Sequence, residues 1–263
     1  MENKLKITVC ADNPKIAAQA ASFLCESYKT VSAAVDDIDI KNKIKRFACC
    51  DAVYLLSRTG EISANLLEKW VGHPHLRCIA ESDEEKRRLR LTAETDCMLK
   101  NVELEKKFLI KLPDMQALSA YSPFTVDIEQ IYLTCQNGSH RIRKRGADGT
   151  FSYFETKKIR ITDSKCFEYE NSISADTYEQ LKALADPKKH PIAKKRTCFV
   201  YEGQYFELDV FPFFRDKAFL ELELLCEEQA FALPPEIEVI RDVTDDKKYK
   251  NNYLAGITDY DHY

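Results

Sequence analysis

The sequence predicts two architectures in succession, a small parallel α/β unit followed by a larger antiparallel β structure. Three observations carry that reading. Short apolar runs alternate with helical segments from residue 1 to about 100. Beyond that point the pattern turns β-rich, punctuated by hairpin dipeptides. Many of the later strands also place a charged residue at every second position, so that one face of each strand is charged and the other apolar.

Within the first hundred residues, Leu5–Cys10 reads as a strand. Asn13 is placed to cap an Ala-rich helix from about Lys15 to Tyr28, with Pro14 at its first position, where the missing N–H costs nothing. A second strand falls within Val31–Ile40, and Asp51–Leu56 and Leu76–Ala80 read as buried strands followed by helices over about 61–71 and 83–98. The alternation predicts a Rossmann-like parallel α/β domain over residues 1–100. Its first loop, Ala11–Lys15, holds no glycine, so backbone amides cannot close on a phosphate in the usual way. Asp12 reads as a turn or capping acid, Trp70 as packing, and the charged run 83–90 as a solvated helix face. His73-Pro74-His75 reads as a surface loop rather than a metal site, and the role of the whole domain is open.

In the β-rich part, Val102–Ile110 places Glu103, Glu105 and Lys107 on one face. A helical segment over Met115–Tyr121 precedes strands at Asp127–Leu133 and His140–Arg145. The latter puts Arg141, Arg143 and Arg145 in one row, with Arg145 expected to face solvent near the Asp148-Gly149 hairpin turn. Phe151–Ile159 brings Thr156 and Lys158 to one face, with Lys157 replacing Lys158 if the strand is bulged. Phe167–Glu170 repeats the acidic alternation, and a helix over Ala175–Ala185 follows, capped by Ser174. Lys194–Tyr201 pairs with Gln204–Val210 across Glu202-Gly203, and Ala218–Leu224 closes the set.

Collected, the rows hold acids at 103, 105, 168, 170, 207, 209, 221 and 223 and bases at 107, 141, 143, 158, 194 and 196. Any single row could face water. All of them turned inward around a closed sheet would be too costly to leave dry and unpaired, and water, metal ions and a highly charged ligand would resolve that cost.

Composition describes a soluble globular protein of the cytoplasm rather than a coating or secreted protein. The net charge of −4 over 263 residues argues against a nucleic-acid-binding surface. Ten cysteines are scattered without a C-x-x-C spacing, and the amino terminus lacks a secretory pattern, so reduced thiols in the cytoplasm are expected. No apolar run is long enough to span a bilayer, and the tail 257–263 is expected to be flexible.

The ordered set Glu103-x-Glu105-x-Lys107, Arg141-x-Arg143, Thr156-x-Lys158, Glu168-x-Glu170, Lys194-x-Arg196, Asp209 and Glu221-x-Glu223 resembles the CYTH domain of the triphosphate tunnel metalloenzymes, over about residues 101–256. The segments Ile192–Asp209 and Asp242–Ala255 resemble the branch in which a P-loop kinase-like domain precedes the tunnel, although no Walker A loop is present here. The resemblance implies a closed eight-stranded antiparallel β tunnel with flanking helices, binding a linear triphosphate with Mg²⁺ or Mn²⁺. It implies metal ligation by Glu103, Glu105, Glu221 and Glu223, with Asp209 beside them, and catalytic roles at a second metal or the attacking water for Glu168 and Glu170. Lys107, Arg141, Arg143, Lys158, Lys194 and Arg196 would cradle the phosphates. The implied activity is hydrolysis of a triphosphate, inorganic tripolyphosphate first. Thiamine or nucleoside triphosphates, cyclisation of ATP, and non-catalytic polyphosphate binding stand as alternatives. The expected partner is a triphosphate-containing small molecule, with no nucleic acid and no membrane, and the oligomeric state is open.

Overall fold

A computed structural model describes residues 6–27, 31–33, 50, 52–57, 62–73, 75–99, 102–103, 105–136, 138–160, 166–224 and 229–260. Four strands form a parallel sheet in the order β2-β1-β3-β4, with β1 at Ile7–Ala11, β2 at Val31–Ala33, β3 at Ala52–Ser57 and β4 at Leu76–Ala80. Helices α1 (Pro14–Ser27), α2 (Ala64–Trp70) and α3 (Glu84–Leu99) connect or follow them. Every residue of β1 and β3 is buried, which is why these strands read as continuous rather than alternating apolar runs. Asn13 Oδ1 accepts from the Lys15 amide at 2.9 Å at the start of α1. Ser63 caps α2 by accepting from the Leu66 amide at 3.4 Å, and its hydroxyl donates to Asp12 Oδ1 at 2.5 Å. Asp12 therefore ties a loop to a helix cap.

Among the described residues the larger sheet is antiparallel and ten-stranded. Its strands are β5 (Val102–Glu103), β6 (Glu105–Lys111), β7 (Phe124–Leu133), β8 (Ser139–Ala147), β9 (Thr150–Arg160), β10 (Cys166–Ile173), β11 (Ile192–Tyr201), β12 (Gln204–Val210), β13 (Lys217–Glu223) and β14 (Val239–Asp242). They run in the order β14-β6-β13-β12-β11-β7-β8-β9-β10-β5. Strands β5 and β6 lie toward opposite ends of this order, yet residue 104 alone separates them in sequence. The hairpins turn on Asp148 (φ 50°) with Gly149 (φ 74°) and on Glu202 (φ 46°) with Gly203 (φ 73°), both left-handed pairs whose twist matches the flanking strands. Helix α4 (Ala175–Lys182) begins where expected, Ser174 Oγ accepting from the Thr177 amide at 3.0 Å.

On one face the strands bury Phe108, Ile110, Phe199, Phe206, Leu208, Leu220 and Leu222 in an apolar cluster. A second cluster joins Leu109, Phe211, Phe214 and Phe219 to Tyr249 and Leu254. The segment Asp242–Ala255 begins at the last residue of β14 and continues through a short 3₁₀ turn at Lys247–Tyr249 into helix α5 at Asn251–Leu254. The tail expected to be flexible is anchored as far as Tyr260, whose ring stacks on Phe213 at 3.8 Å and whose hydroxyl donates to the carbonyls of Leu254 and Ile257. An aromatic side chain with two such partners outweighs the disorder expected of a terminus.

The two sheets share a core. Val53, Leu55, Leu66, Trp70, Val71 and Leu76 pack with Cys198, Val200 and Tyr205, and Phe124 lies against them. Gly72 (φ +96°) approaches the Phe124 ring so closely that a Cβ would lie 2.2 Å from it, so no other residue fits. The His73 loop, expected at the surface, is inside this junction. His73 is fully buried, its Nε2 lies 3.2 Å from the Cys50 carbonyl, and its Nδ1 accepts from the His75 amide at 3.0 Å. Burial, with the neighbouring His75 next in effect, pushes its pKa down to about 3, which makes it a neutral structural group. Among the described residues no helix is long and apolar enough to cross a membrane.

Candidate active site

Strand register brings the charged rows together. Lys107 on β6 opposes Glu221 on β13, Glu221 opposes Glu207 on β12, and Asp209 on β12 opposes Arg196 on β11. Because paired residues project to one face, four strands contribute to a single charged cluster. Lys107 Nζ lies 2.7 Å from Glu221 Oε1 and 4.3 Å over the Phe219 ring. Arg196 is the hub. Its Nε donates to Asp209 Oδ1 at 2.6 Å, one terminal nitrogen donates to Glu207, and the other reaches Asp209 Oδ2 at 2.5 Å and Glu221 Oε2 at 2.6 Å. Lys194 Nζ donates to Asp209 and lies 5.4 Å over the Phe211 ring. Lys107, Lys194, Arg196, Asp209 and Glu221 are all buried.

Burial alone would neutralise these groups, and their mutual attraction decides which stay charged. For Glu221 burial favours the neutral acid, but Lys107 and Arg196 overcome it and hold the carboxyl well below the usual range. Asp209 is likewise lowered against burial, by Arg196 and Lys194. Lys107 is raised, because Glu221 and Glu105 outweigh its desolvation. Lys194 goes the other way, pushed down to about 8 by burial and then by the adjacent Arg196 charge. Glu105 is raised, first by burial and then by the negative charge of Glu221.

Further along the sheet, Thr156 on β9 stands between Arg141 on β8 and Glu170 on β10. Its hydroxyl donates to Glu170 Oε2 at 2.8 Å, and an Arg143 terminal nitrogen lies 3.6 Å from the same oxygen. Lys158 is half-buried, whereas Lys157 is exposed and pairs with Glu155 at 3.2 Å, so β9 runs without a bulge here. Two predicted residues are located by backbone alone: Glu103 opposes Cys166, and Glu168 opposes Lys158, while their side chains fall outside the described residues.

Two arginines in this region were not among the sequence's site candidates. Arg77, on β4 of the parallel sheet, donates to Glu223. Arg145, read as solvent-facing, is only 3% exposed. It donates to the Gly72 carbonyl and lies 3.6 Å from Cys198 Sγ, while its Nε and Nη1 are buried without a hydrogen-bond partner. The correction follows from the junction, because the Gly72 loop covers the flank of a hairpin that would otherwise face water. The available signal was the spacing itself, since Arg145 continues the row of Arg141 and Arg143.

Among the described residues no three acidic, histidine or cysteine side chains converge on one point as a ready metal site. The donor chemistry nevertheless fits a hard divalent cation, which prefers oxygen ligands. Glu105 and Glu223 oppose each other across β6 and β13, Glu221 is the next in-face residue, and the raised carboxyl of Glu105 registers their crowding. Glu221 and Glu223 are meanwhile turned onto cations, to Lys107 and Arg196 and to Arg77 respectively.

An antiparallel sheet whose one face alternates buried cations and carboxylates defines a protein built to hold a compact, multiply charged anion. The chain belongs to the same family as the inorganic triphosphatase of Nitrosomonas europaea, to which it is 35% identical over 156 residues, 58% of this chain and 96% of that protein. Among solved structures it is similar to the inorganic triphosphatase NE1496, at 32% identity over 59% of this chain and 95% of that one, with a TM-score of 0.40. A second structure, of the hypothetical protein NE1496, gives 33% identity, 59% and 98% coverage and a TM-score of 0.41. No family model matches the chain.

Proposed function

We propose that this protein is a metal-dependent triphosphate hydrolase of the CYTH type that acts on inorganic tripolyphosphate in the cytoplasm. The observation that carries the reading is the buried cluster of Lys107, Lys194 and Arg196 with Asp209 and Glu221, in a chain homologous to an inorganic triphosphatase. The adjacency of β5 and β6 in sequence, from opposite ends of the strand order, supports closure of residues 101–256 into a tunnel. Residues 1–100 would then be a separate α/β domain seated against it.

In this reading Lys107, Arg141, Arg143, Lys158, Lys194 and Arg196 hold the phosphate chain, and the guanidinium groups grip oxygens two at a time. Glu103, Glu105, Glu221 and Glu223 would hold Mg²⁺ or Mn²⁺, which when bound neutralises phosphate oxygens and acidifies water. Asp209 keeps Lys194 and Arg196 in place, since both cations converge on its carboxylate. Glu170, aimed by Thr156 and neighbouring Arg143, would accept a proton from an attacking water, with Glu168 two residues earlier on the strand given the same role. The test is phosphate release from tripolyphosphate with Mn²⁺ or Mg²⁺, comparing the wild type with Glu221→Gln and running ATP and thiamine triphosphate in parallel. Release from tripolyphosphate that Glu221→Gln abolishes is expected. Tight binding with no release above the variant would leave a polyphosphate-binding protein instead.

A further inference from the structure

The ion pair between Arg77 and Glu223 crosses from the parallel sheet to the antiparallel one. Both side chains are largely shielded, at 17% and 27% exposure. Arg77 is fixed by a second bond, its Nη1 donating to the Leu76 carbonyl at 3.1 Å. Glu223 is fixed through its backbone: Gln204 Nε2 donates to its carbonyl at 3.2 Å, and Gln229 Nε2 donates to Gln204 Oε1 at 2.9 Å. The pair lines a cleft between the sheets together with Arg90, Gln204, Tyr205 and Gln229.

The contrast with Glu221, two residues earlier on β13, gives the pair its meaning. Glu221 is neutralised by Lys107 and Arg196, which belong to the antiparallel sheet. Glu223 draws its cation from outside that sheet, and it opposes Glu105, whose carboxyl is already crowded by negative charge. We infer that Arg77 is a further positioning residue of the triphosphate site, holding the Glu223 carboxylate until a divalent cation takes it, so that the α/β part competes with metal for this ligand. This deepens the hydrolase reading and rests on it. Two cations on one carboxylate repel each other, so binding of one weakens the other.

The test is calorimetric titration of the full-length chain with Mn²⁺ alone. Arg77→Met is expected to bind Mn²⁺ about two- to fivefold more tightly than wild type, the scale of losing one partly exposed competing pair. Arg77→Lys keeps the competing charge and should stay within about twofold of wild type. In a Glu223→Gln background, Arg77→Met should change nothing. Arg77→Gln is the second uncharged variant, held to the same expectation should Arg77→Met fold poorly. Mn²⁺ binding no tighter in the uncharged variants, or a gain that survives in Glu223→Gln, overturns the inference. A loss of Mn²⁺ affinity with unchanged thermal melting overturns it too, since Arg77 would then support the site rather than compete with it. Failure of the underlying reading looks different: the wild type would bind no Mn²⁺, or Glu221→Gln would leave its binding intact, and the inference would fall with it.

Discussion

The two sheets of this protein solve burial in opposite ways. In the parallel sheet β1 and β3 are buried along their whole length, and apart from Thr8 and Ser57 their side chains are apolar. In the antiparallel sheet one face is equally shielded but holds Lys107, Lys194, Arg196, Asp209 and Glu221. The first arrangement is stabilised by removing apolar area from water, about 25 cal/mol per Å². The second must repay desolvation of every ion through its neighbours, and such clusters are as a rule no more stable than apolar cores of the same volume. A charged interior is therefore poorly explained by stability and well explained by a charged ligand.

That contrast can be broken by mutation. The largest effect is expected at Arg196, whose removal as Arg196→Met leaves Asp209, Glu207 and Glu221 without their shared cation. Urea denaturation should register a loss of about 3–5 kcal/mol, the range for breaking a buried pair by deleting one partner. Leu55→Ala, in the heart of β3, should cost about 3 kcal/mol through its cavity, with tripolyphosphate turnover intact at temperatures where the variant remains folded. If turnover falls in proportion to stability in both variants, the two regions are not functionally distinct.

A smaller, signed effect attaches to Lys194. Its folded pKa of about 8 lies below its ordinary 10.5, so between those values the unfolded chain holds more protons than the folded one. The stability contribution of this group therefore rises with pH across that window, while its affinity for phosphate falls as the ammonium discharges. Urea midpoints and the KM for tripolyphosphate, measured from pH 7 to 10, should therefore both rise, and Lys194→Met should flatten both. The smallest stability change is expected from the double substitution Lys194→Met with Asp209→Leu. The swap removes one charge of each sign, and Arg196, which loses Asp209, keeps Glu207 and Glu221, so the loss should stay below about 3 kcal/mol, short of that for Arg196→Met. Phosphate release should nevertheless be lost, which is the sharpest form of the comparison.

Much of this was legible in the chain itself. Periodicity located the strands of both sheets apart from β14, reading β5 and β6 as one, while Asn13 and Ser174 marked helix starts and Asp148-Gly149 and Glu202-Gly203 marked hairpins, because these signals are local and act within a few residues. The period of two also fixed which residues share a face, and so which charges could meet. Which charges do meet was decided by register. Arg196 touches three carboxylates on two other strands, and no local rule states that arrangement. The seating of one sheet on the other was equally invisible. It buried His73 and Arg145, expected at the surface, and turned Arg77 onto Glu223. Alternation in a sequence determines the sides of a strand. Only the packing of distant segments, driven by apolar area that each buries against the other, decides which side water can reach.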